Sequence, residues 1–247
     1  MREQQQLQLL NILMKVFAIL MGGAIVLGII AILPGCNKDS ADKAICRITT
    51  ITAATTDGYH LTYNNEGKIS TVTNGAHKVI FAYPGNSIIE TISDSGRFNC
   101  KLIITKNAAG LATNVRTELD LTGANWYNDS YEYNGQELSR STQTSSDGSP
   151  ASIKTYTWTN NNIRSAVAST GTSLYSYYTD KPIQEGDYLY IYQLLAQGYE
   201  TIRNRNLVKS IDGVAFSYEF DSDGNISGLN SISGTNVSGL DYGYECN

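Results

Sequence analysis

The chain has 247 residues, a net charge of −5, 17 Tyr, 22 Gly and 17% charged residues. An acidic chain without a basic block lacks the means to neutralise phosphates, which excludes nucleic acid as a partner. Abundant Tyr, Thr, Ser, Asn and Gly form a strand-and-turn composition, and at this length one all-β domain or two small ones is expected.

The first fifteen residues carry Arg2 and Lys15, and Val16 to Leu33 then run for eighteen residues without a charge. A positive start, an apolar run and a small residue before a cysteine form a targeting signal. The alternative is an uncleaved transmembrane helix, for which eighteen residues is near the lower limit. Gly22, Gly23 and Gly28 within the run, Pro34-Gly35 at its end and the lack of a basic stop-transfer cluster argue for cleavage. Leu33-Pro34-Gly35-Cys36 resembles the bacterial lipobox, with proline as a tolerated departure at the second position. That resemblance implies a signal peptide over 1–35 and acyl chains on Cys36, so that the membrane is a partner through the N-terminal lipid. The expected location is the bacterial outer membrane, on its periplasmic or cell-surface side. Asn37-Lys38-Asp39 resembles the Lys-acidic surface-export tag of Bacteroidota lipoproteins and reads equally as a solvated linker. Residues 36–45 form the tether, and 46–247 a single domain.

Without residues 1–35, which hold Arg2, Lys15 and Glu3, the chain keeps 212 residues with 16 basic and 22 acidic side chains, net −6. Once Cys36 is lipidated, Cys46, Cys100 and Cys246 remain, an odd number in an oxidising compartment. Cys46 opens the first apolar segment and Cys246 ends the last, so a bridge between them would staple the two ends of the domain. The alternative is three unpaired thiols, with Cys100 a small buried hydrophobe.

From Cys46 onward the chain repeats a phrase: aromatic, any residue, aromatic, a turn, then an aliphatic residue opening a return strand. Tyr59 to Tyr63 with Ile69 is the first copy, followed by Phe81-Ala82-Tyr83 with Ile88 and a degenerate copy over 103–112. Tyr131-Glu132-Tyr133 with Leu138, Tyr156-Thr157-Trp158 with Ile163, Tyr175-Ser176-Tyr177 with Ile183 and Tyr218-Glu219-Phe220 with Ile226 complete the set. The two-residue period of a strand puts both aromatics on one face and the residue between them on the other. Gly67 and Gly224, four residues beyond the second aromatic, supply the left-handed position of a hairpin loop. The repeat predicts an all-β antiparallel meander of roughly fourteen strands. Such a sheet must curl into an open or closed barrel to bury its aromatic face. One segment breaks the rhythm: Asp187 to Gly198 has Ile191, Leu194 and Leu195 at helical spacing, a capping Asp187 and a stopping Gly198. It predicts one short helix covering an opening or edge of the sheet.

The phrases resemble the Tyr-Asp repeats of secreted bacterial shell proteins. More closely, the chain from Cys36 onward resembles an uncharacterised Bacteroidota lipoprotein family with a porin-like fold. The residues behind this are the lipobox, Cys46-Arg47-Ile48, Asn206 to Ile211 after a Tyr-rich helix, and Tyr218 to Ile226. That family has no established activity, so the resemblance transfers no catalytic residues.

Of chemistry, the chain holds few parts. His60 and His77 are its two histidines and do not share a ligand spacing, and neither a nucleophile elbow, a phosphate-binding loop nor a Cys-x-x-Cys is present. Asp221-Ser222-Asp223-Gly224-Asn225 has the alternating oxygens of a calcium loop, but Ile232 stands where the bidentate Glu belongs, and a hairpin turn explains the segment. No cofactor or metal is expected. Glu90, Glu118, Asp120, Glu132 and Glu219 lie on or near strands, without a pairing that sequence can assign. Tyr131, Tyr133, Tyr156, Trp158, Tyr175 and Tyr177 form rows that could stack on sugars or form the core face of the sheet. A lipid-facing wall is disfavoured by Ser139 to Ser146, which has no apolar residue on either face. The expectation is a non-enzymatic binding or structural module of the envelope, its glycan or protein ligand unknown. The alternative is a carbohydrate-active enzyme or glycan-binding component at the cell surface.

Overall fold

The computed structural model describes residues 46–53 and 56–246; the leader, Cys36 and the tether lie outside the described residues. Sixteen strands follow in order: β1 (Cys46–Ala53), β2 (Thr56–Tyr63), β3 (Ile69–Asn74), β4 (His77–Ala82), β5 (Ser87–Asp94), β6 (Arg97–Lys106), β7 (Ala112–Glu118) and β8 (Trp126–Asn134). The second half comprises β9 (Glu137–Ser145), β10 (Ser152–Thr159), β11 (Asn162–Ala168), β12 (Gly171–Pro182), β13 (Asn206–Ile211), β14 (Val214–Phe220), β15 (Ile226–Ser233) and β16 (Asn236–Cys246). Every strand pairs with its sequence neighbours, and β1 pairs with β16, so the sheet is a closed antiparallel barrel.

The count exceeds fourteen for a reason visible in the repeat. Seven phrases make seven hairpins and hence β2 to β15. An eighth copy is split across the chain ends: Tyr242-Gly243-Tyr244 on β16 supplies the aromatic pair, and Ile48 on β1, fully buried, supplies the aliphatic opener. Where the other copies have a covalent turn, Cys46 and Cys246 face each other across the β1–β16 ladder and are joined by a disulfide.

Alternation along each strand sorts the side chains into two faces. On β2, Tyr59, Leu61 and Tyr63 turn to the lumen while His60 is exposed; on β4, Val79 and Phe81 turn inward while Lys78, Ile80 and Ala82 are exposed. The second aromatic of a phrase has a further role. Tyr63 Oη donates to the Ile48 carbonyl at 2.6 Å, Tyr83 to Ile69 at 2.6 Å, Tyr133 to Ala112 at 2.7 Å and Tyr244 to Ile226 at 2.8 Å, while Trp158 Nε1 donates to Leu138 at 2.8 Å. Each bond clasps, at one end of the barrel, two strands whose covalent turn lies at the other end. The exceptions have causes: Phe220 has no donor, and Tyr177 is diverted to Asn204 Oδ1. The turns at the clasped end are capped by side chains. Asn64, Asn107 and Asp221 each accept amides two and four residues on, and the glycine between has positive φ. The calcium-like spacing at Asp221 thus serves a turn.

One hairpin departs from the expected phrase. Ile183 does not open a return strand; β12 ends at Pro182 and the chain returns only at Asn206. The intervening 183–205 segment enters the barrel at the clasped end as a plug. It contains helix α1 (Tyr188–Tyr192), which continues as a π-helical stretch, Gln193–Gln197, and stops at Gly198 with φ 70°. Leu189 and Ile191 are buried in the same core as the inward residues of the wall, so this helix fills the lumen.

Replacing both Cys46 and Cys246 by Ser opens a loop spanning 200 residues while leaving the β1–β16 ladder intact. The expected cost is about 2–4 kcal/mol, read as a lower unfolding midpoint in denaturant, with hydrogen exchange rising first along β1 and β16.

Candidate functional site: the plugged lumen

The plug is anchored on several sides of the wall. Asp187 caps α1 through Leu189 N at 3.0 Å and also accepts Val208 N at 2.8 Å and Tyr218 Oη at 2.9 Å. Burial raises its carboxyl above the usual range while these donors oppose the shift. Tyr188 stacks on Phe216 of β14, ring centroids 4.1 Å apart. On the far side, Tyr199 Oη meets Tyr131 Oη of β8 at 3.0 Å, and the Glu200 carbonyl accepts Ala112 N of β7 at 2.9 Å. The returning arm is held by asparagines: Asn204 Oδ1 accepts Ile163 N at 3.0 Å, and Asn162 Oδ1 accepts Arg205 N at 2.9 Å and Asn206 N at 3.0 Å. Gln193 locks helix to arm, its Oε1 accepting Thr201 N at 2.6 Å and Ile202 N at 2.9 Å while Nε2 donates to the Ile202 carbonyl at 2.9 Å.

Among the described residues of the wall, Glu90 and Asp129 face inward without an ion pair. Glu90 of β5 is 2% exposed, its Oε1 has no hydrogen-bond partner, and burial raises its carboxyl well above the usual range. It lies against Gly198, where any side chain would fall on its carboxyl group, and Gly198 also needs its left-handed φ to end the helix. Asp129 of β8 is pushed up to about 6, first by burial, with the Gln143 amide at 3.0 Å and Lys154 opposing the shift. Asp129 belongs to a polar sector in which Tyr127, Asp129 and Tyr131 pair with Ser145, Gln143 and Ser141 of β9, and Lys154 of β10 pairs with Ser141. Tyr156 Oη lies 3.3 Å from Ser141 Oγ. This sector explains why the Ser139 to Ser146 stretch has no apolar face: its inner side serves acid, amide and tyrosine groups.

The acids singled out from sequence are dispersed. Glu118 points outward to Lys101 at 3.3 Å and Arg116 at 3.2 Å, Glu132 lies 3.7 Å from Arg140, and Glu219 accepts Asn230 Nδ2 at 3.0 Å. Asp120 caps its own loop through the amides of Thr122, Ala124 and Asn125, and the Thr122 hydroxyl foremost, with these amides, holds its carboxyl low. Glu90 alone of that group faces the lumen. The inward Asp129 was outside it, although the alternation Tyr127-x-Asp129-x-Tyr131-x-Tyr133 places it on the aromatic face. His77 Nδ1 lies 2.8 Å from Asp94, and His60 is exposed on the outer wall. Among the described residues no group of three His, Cys, Asp or Glu side chains is placed to hold a metal ion. Cys100 faces the lumen, its thiol pushed up to about 12 by burial and by the nearby Glu90 and Asp94.

Within the plug lies a cavity of about 380 Å³, bounded by α1 and by the two arms that flank it. That volume is in the range of small-molecule sites. The outer wall is mixed: besides its ion pairs it carries cross-strand hydroxyl contacts, Thr62 with Thr71 at 2.7 Å, Thr157 with Ser165 at 2.7 Å and Ser176 with Ser210 at 2.6 Å, and it also exposes Ile80, Ile153, Val167, Leu174, Ile232 and Val237. Among the described residues no helix is long and apolar enough to cross a membrane.

This architecture, a closed antiparallel barrel with an internal plug, is a porin-like fold. The chain is similar to the crystal structure of a porin-like protein from Bacteroides uniformis, with a TM-score of 0.58 at 16% identity over 80% of this chain and 96% of that one. A porin-like protein from Bacteroides vulgatus is also similar, with a TM-score of 0.53 at 16% identity, covering 80% of this chain and 98% of that one. No family model matches the chain, and no curated protein does.

Because the folded pKa of Glu90 lies above its unfolded value, its contribution to stability is complete below the ordinary carboxyl range and is lost as pH rises through the folded value. Glu90→Gln is expected to remove that loss, flattening the decline of Tm with rising pH; an unchanged Tm–pH curve would show that Glu90 does not set it. Gly198→Ala should lower Tm, and by a smaller amount in a Glu90→Ala background, where the clash is absent and only the backbone strain remains.

Proposed function

We propose that this protein is a lipid-anchored envelope module, attached to the outer membrane through Cys36, which binds a ligand without transforming it. The observation that carries this reading is the position of Cys46 at the plug end of a barrel whose outer wall carries cationic side chains. The ten residues from Cys36 to Cys46 can span at most about 35 Å, so the plug end would face the bilayer and the far end would point away. Lys101, Arg116 and Arg140 on the outer wall support a barrel that stands on the membrane and not within it. A cationic side chain on a lipid-facing strand costs about 2–4 kcal/mol at mid-bilayer. Membership in the Bacteroidota lipoprotein family belongs to the same reading, and the Bacteroides origin of the porin-like neighbours agrees with it.

A glycan ligand is the second reading, favoured by the polar sector. There Asp129, Gln143 and Lys154 stand among Tyr127, Tyr131 and Tyr156, so amide, acid and ring faces meet on one wall. In this reading these side chains serve recognition, and none serves catalysis.

Metabolic labelling with a palmitate analogue should mark the wild type and not Cys36→Ala. Protease shaving of intact cells then decides the face of the membrane: digestion means the cell surface, protection the periplasm. Equal labelling of both proteins, or of neither, overturns the anchor and returns Val16 to Leu33 to the transmembrane alternative.

A further inference from the structure

The plug rests on two sides of the wall, and the two sides hold their acids differently. Toward β13 and β14, the Asp187 carboxyl accepts from the Leu189 and Val208 amides and the Tyr218 hydroxyl, so its charged form is supplied with donors. Glu90, on β5, lacks that supply. Its Oε1 is enclosed without a partner, and its carboxyl lies directly against Gly198. Tyr83 acts on it from β4, Cys100 from β6 and Tyr199 from the plug. The Tyr83 hydroxyl is committed to the Ile69 carbonyl, the Tyr199 hydroxyl is paired with Tyr131, and a thiol is a weak donor. Asp94 acts on the same Cys100 and Asp129 on the same Tyr199, so the surroundings are negative, and among the described residues no cation acts on Glu90.

The part of the plug that meets Glu90 is one body, residues 193–203, held together by Gln193. Its carbonyl accepts Gly198 N at 2.7 Å, its Oε1 accepts the Thr201 and Ile202 amides, and its Nε2 donates to the Ile202 carbonyl. This body also holds the wall through Tyr199 at Tyr131, the Glu200 carbonyl at Ala112 N, and Arg203 Nη1 at the Ala109 carbonyl, 3.4 Å away. Before it, α1 is fixed to β13 and β14; after it, Asn204 is fixed to Ile163 of β11. Gly198, Tyr199, Glu200, Ile202 and Arg203 line the plug cavity, so departure of this body from the wall opens that cavity.

We propose that Glu90 is a pH-sensitive latch: residues 193–203 stay docked on the β5 to β8 wall while its carboxyl is neutral, and its ionisation releases them, leaving α1 in place on β13 and β14. A carboxylate enclosed against Gly198 finds neither water nor a donor, and release of the plug body admits water to it. Burial raises this carboxyl well above the usual range. Docking is therefore complete below the ordinary carboxyl range and weakens as pH rises toward the folded value. The latch depends on neither the lipid at Cys36 nor a glycan ligand.

Hydrogen exchange of the full chain in non-ionic detergent, from pH 5 to pH 9, tests it, with each rate divided by the intrinsic rate at that pH. Protection of residues 193–203, and of the Ala112 amide that donates to Glu200, should fall by at least about tenfold across this range. Protection of α1 and of the strand amides at the far end should stay level. In Glu90→Gln the fall at 193–203 should vanish; in Asp129→Asn, which removes the other inward acid of the wall, it should remain. Level protection of 193–203 in the wild type overturns the latch, as does a fall shared equally by α1 and the strands, which is global unfolding. Both are read without any variant, so the test stands even if Glu90→Gln does not fold. A fall that persists in Glu90→Gln assigns it to another group and overturns the role of Glu90.

Discussion

A sheet of sixteen strands closed on itself encloses a lumen wider than inward side chains can fill, and the structure is organised around occupying that space. In a membrane channel water takes it. Here the 183–205 segment does, and its entry explains the one hairpin that lacks a short turn. The plug brings polar backbone into an apolar interior, where every amide and carbonyl needs a partner. The capping Asp187, the Gln193 clamp and the Asn162 and Asn204 contacts are those partners.

Closure depends on the terminal strands. Eight copies of one hairpin run around the barrel, and the eighth is cut by the chain ends, so Tyr244 clasps Ile226 and Tyr63 clasps Ile48 on either side of the seam. The Cys46–Cys246 bridge stands in for the missing turn. A closed sheet has no exposed edge for other chains to pair with, which leaves the outer wall and the two ends as the surfaces open to partners.

The ends differ. The plug end gathers the disulfide, the tyrosine clasps and the cavity with Glu185, while the polar sector around Asp129 runs toward the opposite end. Two carboxyl oxygens are enclosed without a hydrogen bond, Glu90 Oε1 on the wall and Glu185 Oε2 on the plug, and each marks a place where plug and wall meet closely. Glu90 of the wall lies against Gly198 of the plug, and Arg47 of β1 acts electrostatically on Glu185.

The all-β class, the hairpins, their turns and the helix after Asp187 were legible because each rests on local periodicity: a two-residue alternation for the aromatic pairs, a glycine four residues beyond them, and helical spacing between a capping Asp and a stopping Gly. That His60 faces outward followed from the same alternation. The strand count fell short because the eighth copy has its two halves at opposite ends of the chain, and no window along the sequence contains both Tyr244 and Ile48. Inward orientation of Asp129 was available from alternation with Tyr127 and Tyr131. Its partnership with Gln143 depended on the β8–β9 register, and the burial of Glu90 against Gly198 on a plug inserted about a hundred residues later. Cross-strand register, barrel closure and the packing of a plug against a wall are long-range facts. They arise when strands distant in sequence share one lumen, and tertiary structure alone decides them.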